Sequence, residues 1–183
     1  MGLKVAFGKT IITPPNLCEG FPMAGYYREK KAYEVLDHVY ARGVLIEDDY
    51  LGNIKKPLLL ISLDLTKAPL LILNYIKEKI QNKVDIALGK GQILIACTHT
   101  HHAPDITGEY YWPGQLPQVI KGIFFGHNRY DRYIVWLTNE IVKMVKDMKA
   151  HLQPAKYTWK KSPIQEPIWL NRRHPTEIGR AHV

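Results

Sequence analysis

Ile93-Leu-Ile-Ala-Cys-Thr-His-Thr-His-His-Ala-Pro-Asp105 decides how this chain is read. A short apolar run with β-branched residues reads as a buried strand, and it ends abruptly in His99, His101 and His102. In an extended chain successive side chains point to opposite faces. His99 and His101 are therefore expected on one side, with Thr98, Thr100 and His102 on the other. Imidazole is a common zinc ligand, so two of them side by side at a strand end make half of a metal site. The plainer alternative is that they cap the strand through hydrogen bonds.

Outward from this stretch, the turn Gly89-Lys-Gly91 feeds a strand over 92–97. Before it, Leu70, Leu73, Ile76 and Ile80 repeat at helical spacing over 68–82, with Pro69 suited to the first turn and Lys77, Glu78 and Lys79 toward solvent. Leu58 to Leu63 is a strong apolar strand. Strand, helix and strand form a βαβ unit, for which parallel strands and a right-handed crossover are expected. Ligands gather at the carboxyl ends of such strands, where the histidines lie.

Farther out, 37–47 alternates as a strand with Val39, Ala41, Gly43 and Leu45 on one side, and Gly52-Asn53 marks a hairpin connection to Leu58. Lys4 to Lys9 reads as another strand. Thr13-Pro-Pro-Asn16 and Gly20-Phe-Pro-Met-Ala-Gly25 are too rich in Pro and Gly for regular structure. A second helix is expected from about Asn128, as N-cap, to Ala150, with Ile134, Leu137, Ile141, Val145 and Met148 as its buried stripe. Between them, 102–127 is a long loop rich in Gly, Pro and aromatics, of a kind usually tied to function. Lys156 to Lys160 is expected to add a strand. The fold class is α/β, a mixed β-sheet flanked by helices, in one domain or part of one spanning 1–183.

With 183 residues and 46% hydrophobic content, the chain has ample material for a core. The longest apolar stretch, Pro57 to Leu65, is interrupted by Ser62 and Asp64 and falls far short of the roughly 20 residues of a membrane span. The start Met1-Gly-Leu-Lys4 lacks the succession of a secretory signal, so a soluble, cytoplasmic protein is expected. Cys18 and Cys97 alone offer no disulfide framework. The net charge of +8 and pI near 9.4 raise the question of nucleic acid, but the basic residues form isolated pairs such as Lys30-Lys31 and Arg172-Arg173 rather than a stripe. No nucleic-acid partner is expected; a solvated surface is, with peripheral contact to an anionic membrane or substrate as the other reading. Oligomeric state is not legible in the sequence.

Two zinc patterns fit poorly. The His-x-His-x-Asp-His pattern of metallo-β-lactamases needs an aspartate where Ala103 stands, and amidohydrolase barrels carry His-x-His on their first strand. A third fits better: Gly8-Lys-Thr-Ile-Ile-Thr-Pro-Pro15, Met23-Ala-Gly-Tyr26, Tyr40-Ala-Arg-Gly-Val44, Ser62-Leu-Asp64, Thr98-His-Thr-His101 with Ala103-Pro104, and Asn171-Arg-Arg173 occur in that order. Together they resemble the N-terminal part of the neutral/alkaline, non-lysosomal ceramidase family, over nearly the whole chain.

The resemblance implies zinc-dependent hydrolysis of an N-acyl (sphingo)lipid or similar amide. Zinc would polarise the amide carbonyl and supply a bound water with a pKa lowered toward about 7. It makes His99 the match of the family's first zinc ligand and His101 that of the adjacent histidine at the reacting centre. Asp64 is a candidate to orient an imidazole from behind, its alternative being a strand-end carboxylate or helix cap. Arg42 is expected as an internal ion-pair partner. His102 stands where the family has a small residue and is expected in the loop, as is His127 at a helix start or surface. Tyr110, Tyr111 and Trp112 are candidates for an apolar substrate entrance, or a packed surface loop. The family's remaining zinc ligands belong to segments without a match in this sequence, so the resemblance implies part of a longer catalytic domain. The reading from a different class is a non-catalytic metal-binding or interaction domain that retains this half of the fold.

Overall fold

The strand Tyr40–Asp48 (β2) turns Ala41, Gly43 and Leu45 inward and Arg42 outward, the period of two that a sheet imposes. It pairs antiparallel with Leu3–Ile11 (β1) on one side and with Leu58–Leu63 (β3) on the other. The computed structural model describes residues 2–26, 30–48, 57–111, 116–117, 120, 124 and 130–163. Within them, helix Leu70–Lys83 (α1) leads to strand Ile93–Cys97 (β4), and helix Asp131–Ala150 (α2) leads to the two-residue strand Gln153–Pro154 (β5). The five strands lie in the order β4-β3-β2-β1-β5. β3 and β4 are parallel, as the βαβ reading requires, and the other pairs are antiparallel. The chain is thus an α/β fold with a mixed sheet and helices. The hairpin turn around Gly52-Asn53 lies outside the described residues, but the antiparallel β2–β3 pair it joins is present.

Both helices bury their stripes against one face of the sheet. Ile72, Ile76 and Ile80 of α1 and Leu137, Ile141, Val145 and Met148 of α2 share a core with Ala6, Ala41, Leu45, Leu59, Ile61, Leu63 and Ile93. Each of the Leu, Ile, Val and Met side chains among them contributes about 1.5–3 kcal/mol of apolar burial. Tyr133 of α2 is inside too: its hydroxyl donates to the Ile12 carbonyl, and burial pushes its pKa well above the ordinary phenol value. Phe21 packs on Tyr130 and Tyr133, with ring centroids 4.6 and 5.0 Å apart, and so ties the Pro- and Gly-rich segment after β1 to α2.

Several expectations change in the fold. Leu70 is exposed, and Ile72 takes the inward place in α1, because the helix starts at Leu70 with Pro69 as its cap residue and the 72, 76, 80 row faces the sheet. α2 begins at Asp131 with Tyr130 in the cap position; Asn128 and His127 lie outside the described residues. Residues 156–160 are exposed and form no strand. The added strand is Gln153–Pro154, and since β1 begins at Leu3 its antiparallel register leaves nothing for later residues to pair with. β4 is buried on one face only, for Ile93 is fully enclosed while Leu94 is 52% exposed.

Gly8 and Gly43 sit opposite each other in β1 and β2, directly under α2. A Cβ at Gly8 would lie 2.5 Å from Met148 Sδ and 2.7 Å from Met144 Cγ, and at Gly43 2.9 Å from Met148 Sδ. The absence of side chains there lets the helix come down onto the sheet. Gly8→Ala is expected to destabilise the chain by about 1–3 kcal/mol in a denaturant melt, and Gly43→Ala by less, since there only the flexible thioether ends of Met148 and Met144 must give way.

Candidate functional site

β3 and β4 run parallel up to the pair Leu63 and Cys97, and the two chains stay together beyond it. Thr98 N donates to the Leu63 carbonyl (2.9 Å) and His99 N to the Leu65 carbonyl (3.0 Å). Thr66, 3% exposed, then makes two contacts with the histidine turn. Its hydroxyl donates to the Thr100 carbonyl at 2.6 Å, and its own carbonyl accepts from His99 Nδ1 at 2.8 Å. A carbonyl oxygen can only accept, so Nδ1 carries the proton. In the neutral ring Nε2 then presents its lone pair.

His99 has φ 64, the left-handed region, where histidine is among the few side chains seen without glycine's freedom. The strand alternation has stopped at Cys97. His99 and His101 are nevertheless neighbours, with ring centroids 5.1 Å apart and planes at 71°. The adjacency matches the sequence reading, but its cause is this turn and not an extended backbone.

A second loop braces the histidines from the other side. Ala24 N donates to the Ala103 carbonyl (2.9 Å) and Asp105 N to the Pro22 carbonyl (2.8 Å), with Met23 bridged to Pro104. This zipper brings Tyr26 to 4.7 Å from the His101 ring, centroid to centroid, and sets Gly25 against that ring at φ 98. Residues 103–108 are buried, so the beginning of the expected long loop is packed structure. Asp105, with no exposed surface, organises it: Oδ1 accepts from Thr107 N (2.8 Å), Thr107 Oγ1 (2.7 Å) and Gly108 N (3.2 Å), and Oδ2 from Tyr110 N (2.9 Å). Four donors offset the cost of burying that carboxylate. The Asp-Ile-Thr-Gly sequence carries the signal for such an Asx turn, which the sequence reading passed over.

Asp64 is at the end of β3, but its described bonds do not run to an imidazole. Its Oδ2 accepts from Arg42 Nη1 (2.8 Å) and Tyr40 N (3.0 Å), so the ring-orienting part falls to the Thr66 carbonyl and Arg42 is an ion-pair partner as expected. His102 is exposed, and with Thr100 and Asp64 it lines a cavity of about 560 Å³ on the other side of the turn. The apolar lining of that cavity includes Leu17, Phe21, Met23 and Val35. Tyr110 and Tyr111 do not belong to it; their rings face lysines, Lys67 over Tyr110 at 5.3 Å and Lys31 near Tyr111 at 5.5 Å. Lys67 also pairs with Glu109, which raises its pKa, while hydrogen bonding to Tyr130 raises that of Lys31. Trp112 lies outside the described residues. Cys97, behind the turn, is a free thiol pushed up by burial.

For zinc, the described residues supply part of a shell. His99 Nε2 is oriented as a ligand should be, with its other nitrogen held by a carbonyl, and His101 stands beside it. No group of three or more His, Cys, Asp or Glu suited to a metal ion occurs among the described residues. A catalytic zinc takes three protein ligands, so these residues do not by themselves fit a complete centre.

No family model and no curated protein matches the sequence. Solved structures share its fold, among them two ceramidases. One, described as neutral ceramidase from Pseudomonas aeruginosa, superposes with a TM-score of 0.65 at 18% identity, covering 84% of this chain and 22% of its own. The other, described as ceramidase complexed with C2, superposes at 0.60 with 19% identity and the same coverage of 84% and 22%. The chain thus has a ceramidase-like fold and spans about a fifth of the length of those proteins.

A Cβ at Gly25 would overlap the His101 ring, and φ 98 is unfavourable for any other residue. Gly25→Ala is expected to cost about 1–3 kcal/mol and to shift the His101 imidazole resonances, with the His99 ring less affected. Unchanged His101 signals would contradict this packing.

Proposed function

We propose that residues 1–183 form one domain, the N-terminal portion of a neutral-ceramidase-type amide hydrolase that acts on an N-acyl lipid or a similar amide. What supports the reading above all is the His99 clamp, an imidazole with Nδ1 held by the Thr66 carbonyl and Nε2 presented, at the strand end of a ceramidase-like fold. In this reading His99 is a zinc ligand, and the remaining ligands come from outside the described residues. Zinc, when bound, would polarise the amide carbonyl and activate water at neutral pH.

The chain's own residues have distinct tasks. His101, fixed edge-on between His99 and Tyr26, contacts the reacting amide. The Arg42–Asp64 pair anchors the strand ends below the turn. Tyr110, Tyr111 and Trp112 stay candidates for the apolar entrance, and contact of the basic chain with an anionic lipid surface would bring such a substrate near. No described helix is long and apolar enough to cross a membrane.

The second reading is a non-catalytic metal-binding or interaction domain, and the incomplete ligand set among the described residues favours it. Zinc content after dialysis, followed by hydrolysis of a fluorogenic N-acyl amide with and without chelator, separates the two. Stoichiometric zinc, chelator-sensitive turnover and loss of both in His99→Ala are the outcome of the hydrolase reading. Zinc retention without turnover supports the second. If His99→Ala binds zinc as well as the parent chain, the metal role of His99 is wrong.

A further inference from the structure

Among the described residues no Asp, Glu, Lys or Arg other than Asp105 is buried. The bonds it makes dictate a carboxylate there. Oδ1 accepts from Thr107 N, Thr107 Oγ1 and Gly108 N, which the oxygen of an asparagine could also do. Oδ2 accepts from Tyr110 N at 2.9 Å, and there an asparagine would set its NH2 against an N–H. The Thr107 hydroxyl, held by Oδ1, in turn accepts from Glu109 N at 3.2 Å. The carboxylate therefore fixes the main chain of both Glu109 and Tyr110.

Two arms run from this turn, and each ends on one histidine. In the first, Asp105 N donates to the Pro22 carbonyl, Pro104 is bridged to Met23, and the Ala103 carbonyl accepts from Ala24 N. Gly25 and Tyr26, which follow directly, are the residues that lie against the His101 ring. In the second arm, Glu109 Oε2 accepts from Lys67 Nζ at 2.5 Å, and the same ammonium stands over the Tyr110 ring. Lys67 follows Thr66, whose carbonyl holds His99 Nδ1. Glu109 and Tyr110 reach Lys67 only from the main-chain course that the Asp105 carboxylate sets.

We propose that Asp105 is a positioning residue for both imidazoles, its carboxylate joining the clamp on His101 and the clamp on His99 into one unit. What this does for a reaction rests on the hydrolase reading, but the coupling does not, and it is measured without metal or substrate. Absence of zinc binding or turnover counts against that reading alone. Backbone hydrogen exchange and long-range ¹⁵N–¹H spectra of the imidazoles in the full chain test the coupling. In Asp105→Asn the Tyr110 and Ala24 amides are expected to exchange about tenfold or more faster, as loss of a bond to a charged acceptor requires. The ring signals of both His99 and His101 should shift, while the Ile76 and Ile80 amides of α1 keep their protection. Lys67→Met, at a half-exposed side chain, cuts the second arm alone. It should shift the His99 signals and leave those of His101 and the Ala24 amide in place. Unmoved rings in a folded Asp105→Asn chain, or a Lys67→Met change that reaches His101 and spares His99, overturn the proposal. If Asp105→Asn also strips protection from α1, the parent chain decides: its Ala24, Thr107 and Tyr110 amides should open together. Protection differing by about tenfold or more among those three would show separate clamps and overturn it.

Discussion

The parallel pairing of β3 with β4 is the constraint on which the site depends. Because Leu63 and Cys97 are partners, the segments that leave the two strands emerge side by side, and their backbone bonds continue through Thr98 and His99 to Leu63 and Leu65. Thr66 then arrives within reach of both Thr100 and the His99 ring. Each of these is a bond of about 1 kcal/mol net. Together they hold His99 in a left-handed conformation that an isolated chain would avoid.

The core beneath explains why the pairing is rigid. β3 supplies Leu59, Ile61 and Leu63 to the buried face, and α1, which joins the two strands, closes over them with Ile72, Ile76 and Ile80. The close approach of α2 at Gly8 and Gly43 fixes β1 and β2, and Phe21 carries that packing into the segment that ends at Gly25 and Tyr26. The histidine turn is therefore held from two directions, by strand ends from below and by the 22–26 to 103–105 zipper from the side. This is the support a precise binding site needs.

Much of this was legible in the sequence, and the rest was not for identifiable reasons. The βαβ unit could be read because Leu58–Leu63, broken only by Ser62, and Ile93–Cys97 are strongly apolar runs and the segment between them repeats apolar residues at helical spacing. The phase of α1 could not, since Leu70, Ile72 and Leu73 offer competing apolar faces and tertiary packing chose Ile72. The histidines were visible as residue types. Their support was not, because it comes from a backbone carbonyl at Thr66, and main-chain groups have no sequence signature. Asp64 drew attention as an acidic residue near the site, yet Arg42 and the Tyr40 amide hold it. Asp105, by contrast, had a readable turn signal that was overlooked beside the histidines.

The fold fixes His99 with Nδ1 bonded to the Thr66 carbonyl and Nε2 presented. Long-range ¹⁵N–¹H correlation spectroscopy of the imidazole rings at a pH where His99 is neutral reads this directly. His99 is expected as the Nδ1–H tautomer, with its Nδ1 proton slow to exchange and lost from that state when Thr66→Gly loosens the clamp. A neutral His99 carrying its proton on Nε2, or a mixture of tautomers averaging freely, would contradict it.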